Sequence, residues 1–282
     1  MAHDTPKIAP VPISGIVAIA AVFAANRAAG RKALAPFVTA GDPDADATFA
    51  ILQAVDRAGA SLCELGVPYS DPIADGPVIQ ASYTRALDAG MTIESLLSTV
   101  KRAAATVSMP MLAMASYSII FRRGIARFVA DAKAAGLAGF VVPDLPVEES
   151  GELEAACRDA GLALVRLVTP TTPPERAEEI ARRSTGFLYC VSVAGVTGAR
   201  TDLPSGLIDR VKWLRTKTDV PILVGFGIST PEQAKAVAEV ADGVIVGSAL
   251  VRHLTEAASK SRDEMIRGVE NYVGRLAAAM IV

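Results

Sequence analysis

The chain has 282 residues, of which 51% are hydrophobic and 21% are charged, and its formal net charge at pH 7 is −2. A chain of this length and apolar content can bury one large core. Because the net charge is close to zero and no basic stripe is present, the composition argues against a nucleic-acid-binding protein.

The N-terminal region combines a short tail with an apolar segment. Residues 1–12 are expected to form a flexible tail, and residues 13–25 are strongly apolar. That segment is too short to cross a bilayer, which takes about 20 apolar residues. Lys7 alone gives only a weak basic region for a signal peptide. We therefore predict a helix that starts after Ser14 and packs against the domain, with export as the alternative.

Short apolar runs alternate with helical patterns along the rest of the chain. The predicted strands are residues 33–39, 61–65, 111–115, 139–142, 163–168, 187–191, 222–225 and 243–246. The predicted helices are residues 47–58, 93–106, 125–135, 148–160, 174–183, 207–217, 231–239, 249–257 and about 263–279. Strands that are each followed by a helix predict an α/β fold, a single (β/α)8 TIM barrel with an extra N-terminal helix.

A doubly wound open sheet is the competing fold for this alternation. It would place a G-x-G-x-x-G turn after the first strand, but residues 39–43 read TAGDP. No linker or low-complexity tract divides the chain, so residues 1–282 are predicted to form one barrel domain. The three cysteines, Cys63, Cys157 and Cys190, form no C-x-x-C pair and are predicted to be reduced, buried residues of a cytoplasmic protein.

The second predicted strand carries a carboxylate near its end. Glu64 lies among apolar residues, and Asp71 and Asp75 follow it in a proline-rich loop. A charge in a buried strand is costly unless it is paired or its pKa is shifted so that it is neutral. An acid at a strand end with another on the following loop is how barrel enzymes present general acid and base groups. We predict that Glu64 and Asp75 form such a pair, whereas backbone capping in the turn explains Asp71.

Two glycine turns follow the seventh and eighth predicted strands. Gly227 lies in the first turn, and Gly247 and Ser248 lie in the second, which a short helix follows. Barrel enzymes often bind phosphate at these two turns, where backbone N–H groups and a helix N-terminus favour an anion. Glycines that only permit tight turns are the alternative. The loop after the sixth strand, residues 192–202, suits either a lid over substrate or a plain connector.

Residues that are absent from the strand ends narrow the chemistry. The two histidines, His3 and His253, lie in the tail and on the last short helix, which argues against a histidine base or a His-rich metal site. No lysine is placed for a Schiff base, and there is no G-x-S-x-G motif. Carboxylate chemistry remains. Asp144 also ends a strand, where bonding to backbone amides explains it as well as catalysis does, and Arg166 fits a structural ion pair.

Six sequence blocks together resemble the tryptophan synthase alpha chain family. They are PFVTAGDP at 36–43, ELGVPYSDPIADGPVIQ at 64–80, VPDLPVEE at 142–149, GVTG at 195–198, GFGIS at 225–229 and GS at 247–248. The likeness covers nearly the whole chain from Gly30 on, and the blocks are jointly specific. It implies a (β/α)8 lyase of L-tryptophan biosynthesis that cleaves indole-3-glycerol phosphate to indole and glyceraldehyde 3-phosphate without a cofactor or metal of its own.

The resemblance also implies roles for individual residues and a partner. It implies catalytic acids at Glu64 and Asp75, phosphate-binding positions at Gly198, Gly227, Gly247 and Ser248, an active-site tyrosine at Tyr189, aromatic pocket positions at Phe37 and Phe226, and substrate binding by Thr197. With no lysine imine and no metal, the electron sink is the indole ring of the substrate. The implied partner is a pyridoxal-phosphate-dependent beta chain, in an α2β2 heterotetramer.

The chain departs from the family pattern in two places. Its N-terminal helix is unusually apolar, and Ser118 stands where the family usually has asparagine, in a region that helps form the partner surface. Two other interpretations stay open. One is a different phosphosugar or indole-phosphate barrel enzyme, such as an isomerase or a cyclase, against which the Glu64 and Asp75 pair argues. The other is a weakly catalytic subunit that chiefly activates a partner.

Overall fold

The computed structural model of the protein describes residues 14–73, 75–192, 206–225, 227–257 and 260–281. Within these residues, eight parallel strands pair in chain order and close into a barrel. The strands are β1 Ala33–Thr39, β2 Cys63–Gly66, β3 Met111–Met114, β4 Gly139–Val141, β5 Ala163–Val168, β6 Leu188–Val191, β7 Ile222–Gly225 and β8 Gly243–Val246. Each lies at a predicted position, so the predicted (β/α)8 barrel is confirmed and the open-sheet alternative is wrong.

Helices surround the barrel. They are α1 Gly15–Ala28, α2 Ala45–Arg57, α3 Pro77–Asp88, α4 Ile93–Ala104, α5 Tyr117–Arg123, α6 Ile125–Ala135, α7 Gly151–Ala160, α8 Pro174–Arg183, α9 Leu207–Arg215, α10 Pro231–Ala238, α11 Ser248–Glu256 and α12 Arg262–Ala279. The sequence analysis missed α3 and α5. The first turn of α3 lies in the proline-rich segment that was interpreted as a loop. The buried residues of α3, Ile79, Tyr83 and Ala86, nevertheless have helical spacing.

The N-terminal helix α1 closes the bottom of the barrel. Its buried residues Ile19 and Phe23 pack with Leu62, Leu112 and Phe187, which fill the barrel interior. The prediction that this helix packs against the domain is therefore confirmed, and contact with the barrel floor accounts for its buried positions Ile19 and Phe23, whereas Val17 is 56% exposed. Among the described residues, no helix combines the length and apolarity needed to cross a membrane.

The alternation of side chains along β2 directs Glu64 into the barrel. Cys63 and Leu65 belong to the core between the strands and the surrounding helices. Successive side chains of a strand point to opposite faces, so Glu64 points inward, like Leu62 two residues before it. The register of β1 and β2 places Phe37 beside Glu64. The strand pattern thus carries a carboxylate and an aromatic ring to the same end of the barrel interior.

Candidate active site

One cavity opens at the C-terminal ends of the strands. It is lined by Phe37, Glu64, Asp75, Gly76, Ile79, Met114, Tyr189, Gly227, Ile228, Ile245, Gly247 and Ser248. Every predicted site residue in the described part of the chain lies among these. The predicted site residues Thr197, Gly198 and Phe226 lie outside the described residues. The structure therefore brings together the acids, the two glycine turns and the pocket aromatics Phe37 and Tyr189.

Glu64 is a carboxyl group in an apolar setting. Its side chain is 0% exposed, and neither carboxyl oxygen has a hydrogen-bond partner among the described residues. Burial raises the pKa of Glu64 to about 8, because the charged form would lose its hydration without gaining a partner. At neutral pH the group is therefore mostly protonated, and it can donate a proton into the cavity.

Asp75 lines the same cavity from the loop between β2 and α3. Gln80 of α3 holds this loop, since its side-chain amide donates to the backbone carbonyl of Asp75 at 2.8 Å and to that of Pro72 at 3.1 Å. Burial and then the negative charge of Asp144 raise the pKa of Asp75 to about 6. Asp75 is therefore mostly ionised at pH 7, when Glu64 is mostly protonated, so the two acids are suited to different roles.

The two aromatic rings of the cavity each lie over a strand glycine. A Cβ atom at Gly66 would overlap the ring of Phe37, and one at Gly225 would overlap the ring and hydroxyl of Tyr189. Phe37 and Tyr189 are both buried. The rings can pack this close to the backbone only because both strand positions lack a side chain.

The two glycine turns border the cavity. The backbone at Gly227 has a φ of +83°, and a Cβ there would meet no atom of the described residues within 4 Å. Helix α11 starts at Ser248 with no side-chain cap and no acidic residue in its first turn, whereas α10 and α12 both carry capping boxes. The start of α11 therefore has the features that favour an anion, and the phosphate site stays a prediction.

Other polar residues from the sequence analysis take structural positions. Asp144 accepts hydrogen bonds from the Tyr117 amide at 2.9 Å and from the Ser116 hydroxyl at 2.7 Å, which is the backbone-bonding role at the barrel top. Arg166 pairs with Glu154 at 2.8 Å, so the predicted ion pair is confirmed. Among the described residues, no group of three or more His, Cys, Asp and Glu side chains is arranged to hold a metal ion.

The sequence analysis missed the apolar lining of the cavity. Met114, Ile228 and Ile245 all contribute to it, with Gly76 and Ile79. Met114 is the last residue of β3 and Ile245 lies one residue before the end of β8. Their position near the strand ends was the available signal, but a methionine or isoleucine in a strand is as typical of a packed core as of a binding pocket.

The burial of Glu64 should make the barrel less stable as the pH rises. The ordinary pKa of a glutamate carboxyl is 4.5, and in the folded chain that of Glu64 is about 8, so between these two pH values the folded state binds a proton that the unfolded state has released. The free energy of unfolding should therefore fall from pH 4.5 to pH 8 and then level off. Glu64→Gln should remove about 2–4 kcal/mol of this fall.

Urea unfolding at pH 5 and at pH 8.5 measures the effect. The matched control is Glu152→Gln, which changes an exposed glutamate on α7 and should leave the pH dependence as in the unmodified chain. If Glu64→Gln and the unmodified chain lost stability in parallel, Glu64 would titrate in the folded state as it does in water.

Comparisons with known proteins agree with this geometry. The sequence profile of the tryptophan synthase alpha chain family matches residues 23–280. The chain is similar to the tryptophan synthase alpha chain of Rhodopirellula baltica, with 53% identity over 244 residues, 86% of this chain and 88% of the relative. It is also similar to that of Synechocystis sp., with 49% identity over 264 residues, 93% of this chain and 99% of the relative.

Solved structures give the same result. A structure of Mycobacterium tuberculosis tryptophan synthase matches with a TM-score of 0.86 and 34% identity, over 94% of this chain and 98% of that chain. The tryptophan synthase alpha chain of Legionella pneumophila matches with a TM-score of 0.84 and 33% identity, over 93% of this chain and 97% of that chain. The likeness in sequence and in fold thus extends over almost the whole length of each protein.

Proposed function

The chain belongs to the tryptophan synthase alpha chain family, a family of lyases that cleave indole-3-glycerol phosphate to indole and glyceraldehyde 3-phosphate, and we propose that it performs this cleavage with Glu64 and Asp75. The observation that carries the proposal is the buried carboxyl of Glu64, which has no hydrogen-bond partner among the described residues and whose pKa is raised to about 8. It lines the same cavity as Asp75. A protonated acid and an ionised one at pH 7 are what this cleavage requires.

The reaction can proceed with one proton carrier. Glu64 donates its proton to C3 of the indole ring, and positive charge develops at the ring nitrogen. The Asp75 carboxylate accepts a hydrogen bond from the ring N–H and stabilises that charge. Glu64, now ionised, removes the proton from the side-chain hydroxyl next to C3. The C–C bond then breaks, its electrons return to the ring, and indole and the aldehyde leave with Glu64 protonated again.

The low polarity around Glu64 suits this double use. A group that acts first as an acid and then as a base works best when its pKa lies near the operating pH. An exposed glutamate would already be ionised at pH 7, because its pKa would lie near 4.3. Phe37, Met114 and Ile245 line the cavity beside Glu64, which is 0% exposed, and this apolar lining favours both the raised pKa of Glu64 and a strong electrostatic effect of Asp75.

The isolated chain should release indole from indole-3-glycerol phosphate. Indole extracted and quantified by chromatography measures the reaction, and glyceraldehyde 3-phosphate should appear in equal amount. An isomerase or a cyclase would consume the substrate without releasing indole. A subunit that only activates a partner would be inactive in this assay, and either result would contradict the proposed function.

The phosphate of the substrate is proposed to bind between the turns that contain Gly227 and Gly247. Support comes from the start of α11 at Ser248, which has no side-chain cap, and from Gly227, beside which no described residue would contact an added Cβ. No Lys or Arg lies inside either turn, so backbone N–H groups and the helix dipole are the proposed anion receptor. Gly198 and Thr197 are proposed to complete the site, and Phe226 is proposed to line the indole pocket.

The family implies a beta chain as partner, and the α2β2 heterotetramer is proposed here. Two large apolar side chains support a protein contact. Ile73, in the loop after β2, is 93% exposed, and Phe121, on α5, is 66% exposed. Burial of such side chains against another chain would be favourable. Ile73 follows β2 and Phe121 follows β3, so both lie on segments that leave the C-terminal ends of strands, where a partner that receives indole would have to bind.

Ile73→Asp should therefore weaken binding of the cognate beta chain. Size-exclusion chromatography of an equimolar mixture measures co-elution, and we expect a complex for the unmodified chain and mostly separate peaks for the variant. Val17→Asp is the matched control, because Val17 is 56% exposed on α1 at the opposite end of the barrel. Equal co-elution of both variants with the beta chain would place the contact elsewhere.

Two broader assignments accompany these proposals. Residues 1–282 are proposed to form a single domain; the predicted tail at residues 1–12 lies outside the described residues. The protein is proposed to act in the cytoplasm. Cys63, Cys157 and Cys190 are all buried free thiols, and unpaired cysteines are typical of proteins from a reducing compartment.

A further inference from the structure

A tyrosine outside the cavity connects the elements that carry the two glycine turns. Helix α12 packs on the outside of the barrel against α10 and α11. Its Tyr272 hydroxyl donates a hydrogen bond to the backbone carbonyl of Ser229 at 2.8 Å. The Tyr272 ring also stacks on His253 of α11, with ring centroids 5.4 Å apart and planes inclined by 18°. One side chain thus joins the loop after β7 to α11, the two elements that carry the proposed phosphate site.

Each contact lies within five residues, along the chain, of a residue of the proposed phosphate site. Ser229 follows Gly227 by two residues, and His253 lies on the helix whose first residue is Ser248. The Ser229 amide and hydroxyl are engaged on the other side, since both donate to the side-chain oxygen of Gln233 in α10, at 2.8 Å and 3.1 Å. Ser229 is therefore fixed to α10 through its amide and side chain and to α12 through its carbonyl.

The Tyr272 hydroxyl is a neutral hydrogen-bond donor. Burial raises the pKa of Tyr272 to about 12, so the phenol keeps its proton throughout the physiological pH range. The His253 side of the contact is tightly packed, because a Cβ atom at Gly268 would lie 2.9 Å from the His253 Nε2 atom. This packing leaves the His253 ring little room to shift, so stacking on His253 restricts the position of the Tyr272 ring.

We propose that Tyr272 is a positioning residue for phosphate binding: it holds the turn of Gly227 at a fixed distance from the start of α11, without touching the substrate. The inference rests on the proposed function, because it assumes that these two turns bind the phosphate. Backbone N–H groups recognise an anion only while their spacing is maintained. Tyr272, by fixing the distance between the two turns, therefore sets the affinity for the phosphate and leaves the proton transfers at Glu64 unaffected.

Tyr272→Phe is the sharpest variant, because it removes only the hydroxyl and keeps the ring that stacks on His253. A hydrogen bond of this kind contributes a factor of about three to ten in affinity. The KM for indole-3-glycerol phosphate should rise by that factor with kcat nearly unchanged, since the phosphate is held alike in the ground state and the transition state.

The reverse reaction separates the phosphate from the indole. When the chain condenses indole with glyceraldehyde 3-phosphate, Tyr272→Phe should raise the KM for glyceraldehyde 3-phosphate and leave the KM for indole unchanged. A general loosening of the barrel would raise both. The matched control is Thr216→Val, which also removes a hydroxyl that donates to a backbone carbonyl, that of Trp213 at 2.7 Å, at an exposed site after α9. It should leave both KM values unchanged.

A second variant tests the phosphate site itself. Gly247 has a φ of −101°, and a Cβ there would lie 3.8 Å from the Phe37 Cβ, so Gly247→Ala should fold while it narrows the anion site. If Gly247→Ala raises the KM for glyceraldehyde 3-phosphate and Tyr272→Phe does not, the positioning role is wrong and the phosphate site stands. If neither variant changes that KM, both assignments are wrong. The positioning role would also be overturned if Tyr272→Phe raised the KM for indole as much as the KM for glyceraldehyde 3-phosphate, or if it lowered kcat.

Discussion

Glu64→Gln should abolish the cleavage of indole-3-glycerol phosphate while the barrel stays folded. An amide can neither give a proton to C3 of the indole ring nor take one from the side-chain hydroxyl. Loss of a general acid or base typically lowers the rate by about 10²–10⁴-fold, and a larger loss is expected here because one group serves in both steps. The fold should tolerate the change, since the neutral amide replaces a carboxyl that is itself protonated at pH 7.

Indole release under saturating substrate measures the loss, and circular dichroism verifies the fold. Glu152→Gln serves as the matched control, because it makes the same chemical change at an exposed position on α7 and should turn over normally. If folded Glu64→Gln kept near-normal turnover, Glu64 would not be the proton carrier and the proposed mechanism would be wrong.

Asp75→Asn should lower kcat by at least about 10²-fold and change KM much less. The charge of Asp75 matters most when the ring nitrogen becomes positive, and this occurs only as the reaction proceeds. An asparagine can still accept a hydrogen bond from the ring N–H, so binding of the neutral indole ring should be largely retained. An interaction that strengthens in the transition state lowers kcat and kcat/KM together when it is removed.

Steady-state kinetics of both parameters are the required measurement. The matched control is Asp71→Asn in the same loop, whose exposed carboxylate accepts a hydrogen bond from the neighbouring Ser70 hydroxyl at 2.7 Å. This variant should keep kcat close to that of the unmodified chain. An unchanged kcat with a raised KM for Asp75→Asn would instead indicate that Asp75 only holds the substrate.

The sequence was sufficient to predict the barrel because its strands are short, apolar and evenly separated by helices. The inward direction of Glu64 also follows from the sequence, since the period of a strand is two and its neighbours Cys63 and Leu65 are apolar. Helices α3 and α5 were missed for local reasons. Pro77 at the start of α3 is typical of a first helical turn, but two earlier prolines made the whole segment look like a loop. Helix α5 has only 7 residues, too few for a periodic pattern.

The polar contacts around the site could not be predicted from the sequence. The bond from Tyr272 to Ser229 joins residues that are 43 positions apart, and the bond from Ser116 to Asp144 joins residues that are 28 apart. Such pairs depend on how helices and loops pack, and no periodic pattern reports that. The same holds for the pKa of Asp75, because its shift depends on burial and on the charge of Asp144.

The two aromatic rings that lie over strand glycines have a consequence for how this pocket can change. Phe37 covers Gly66, and Tyr189 covers Gly225, so neither glycine can gain a side chain while its ring remains. Conversely, loss of either ring alone would leave an unfilled gap against the bare backbone, at a cost in stability. In related chains, each ring and its glycine are therefore expected to vary together. A redesign of the indole pocket should therefore change each ring together with its glycine, and at position 66 it must also move the buried Tyr83 hydroxyl, which would lie 2.9 Å from an added Cβ.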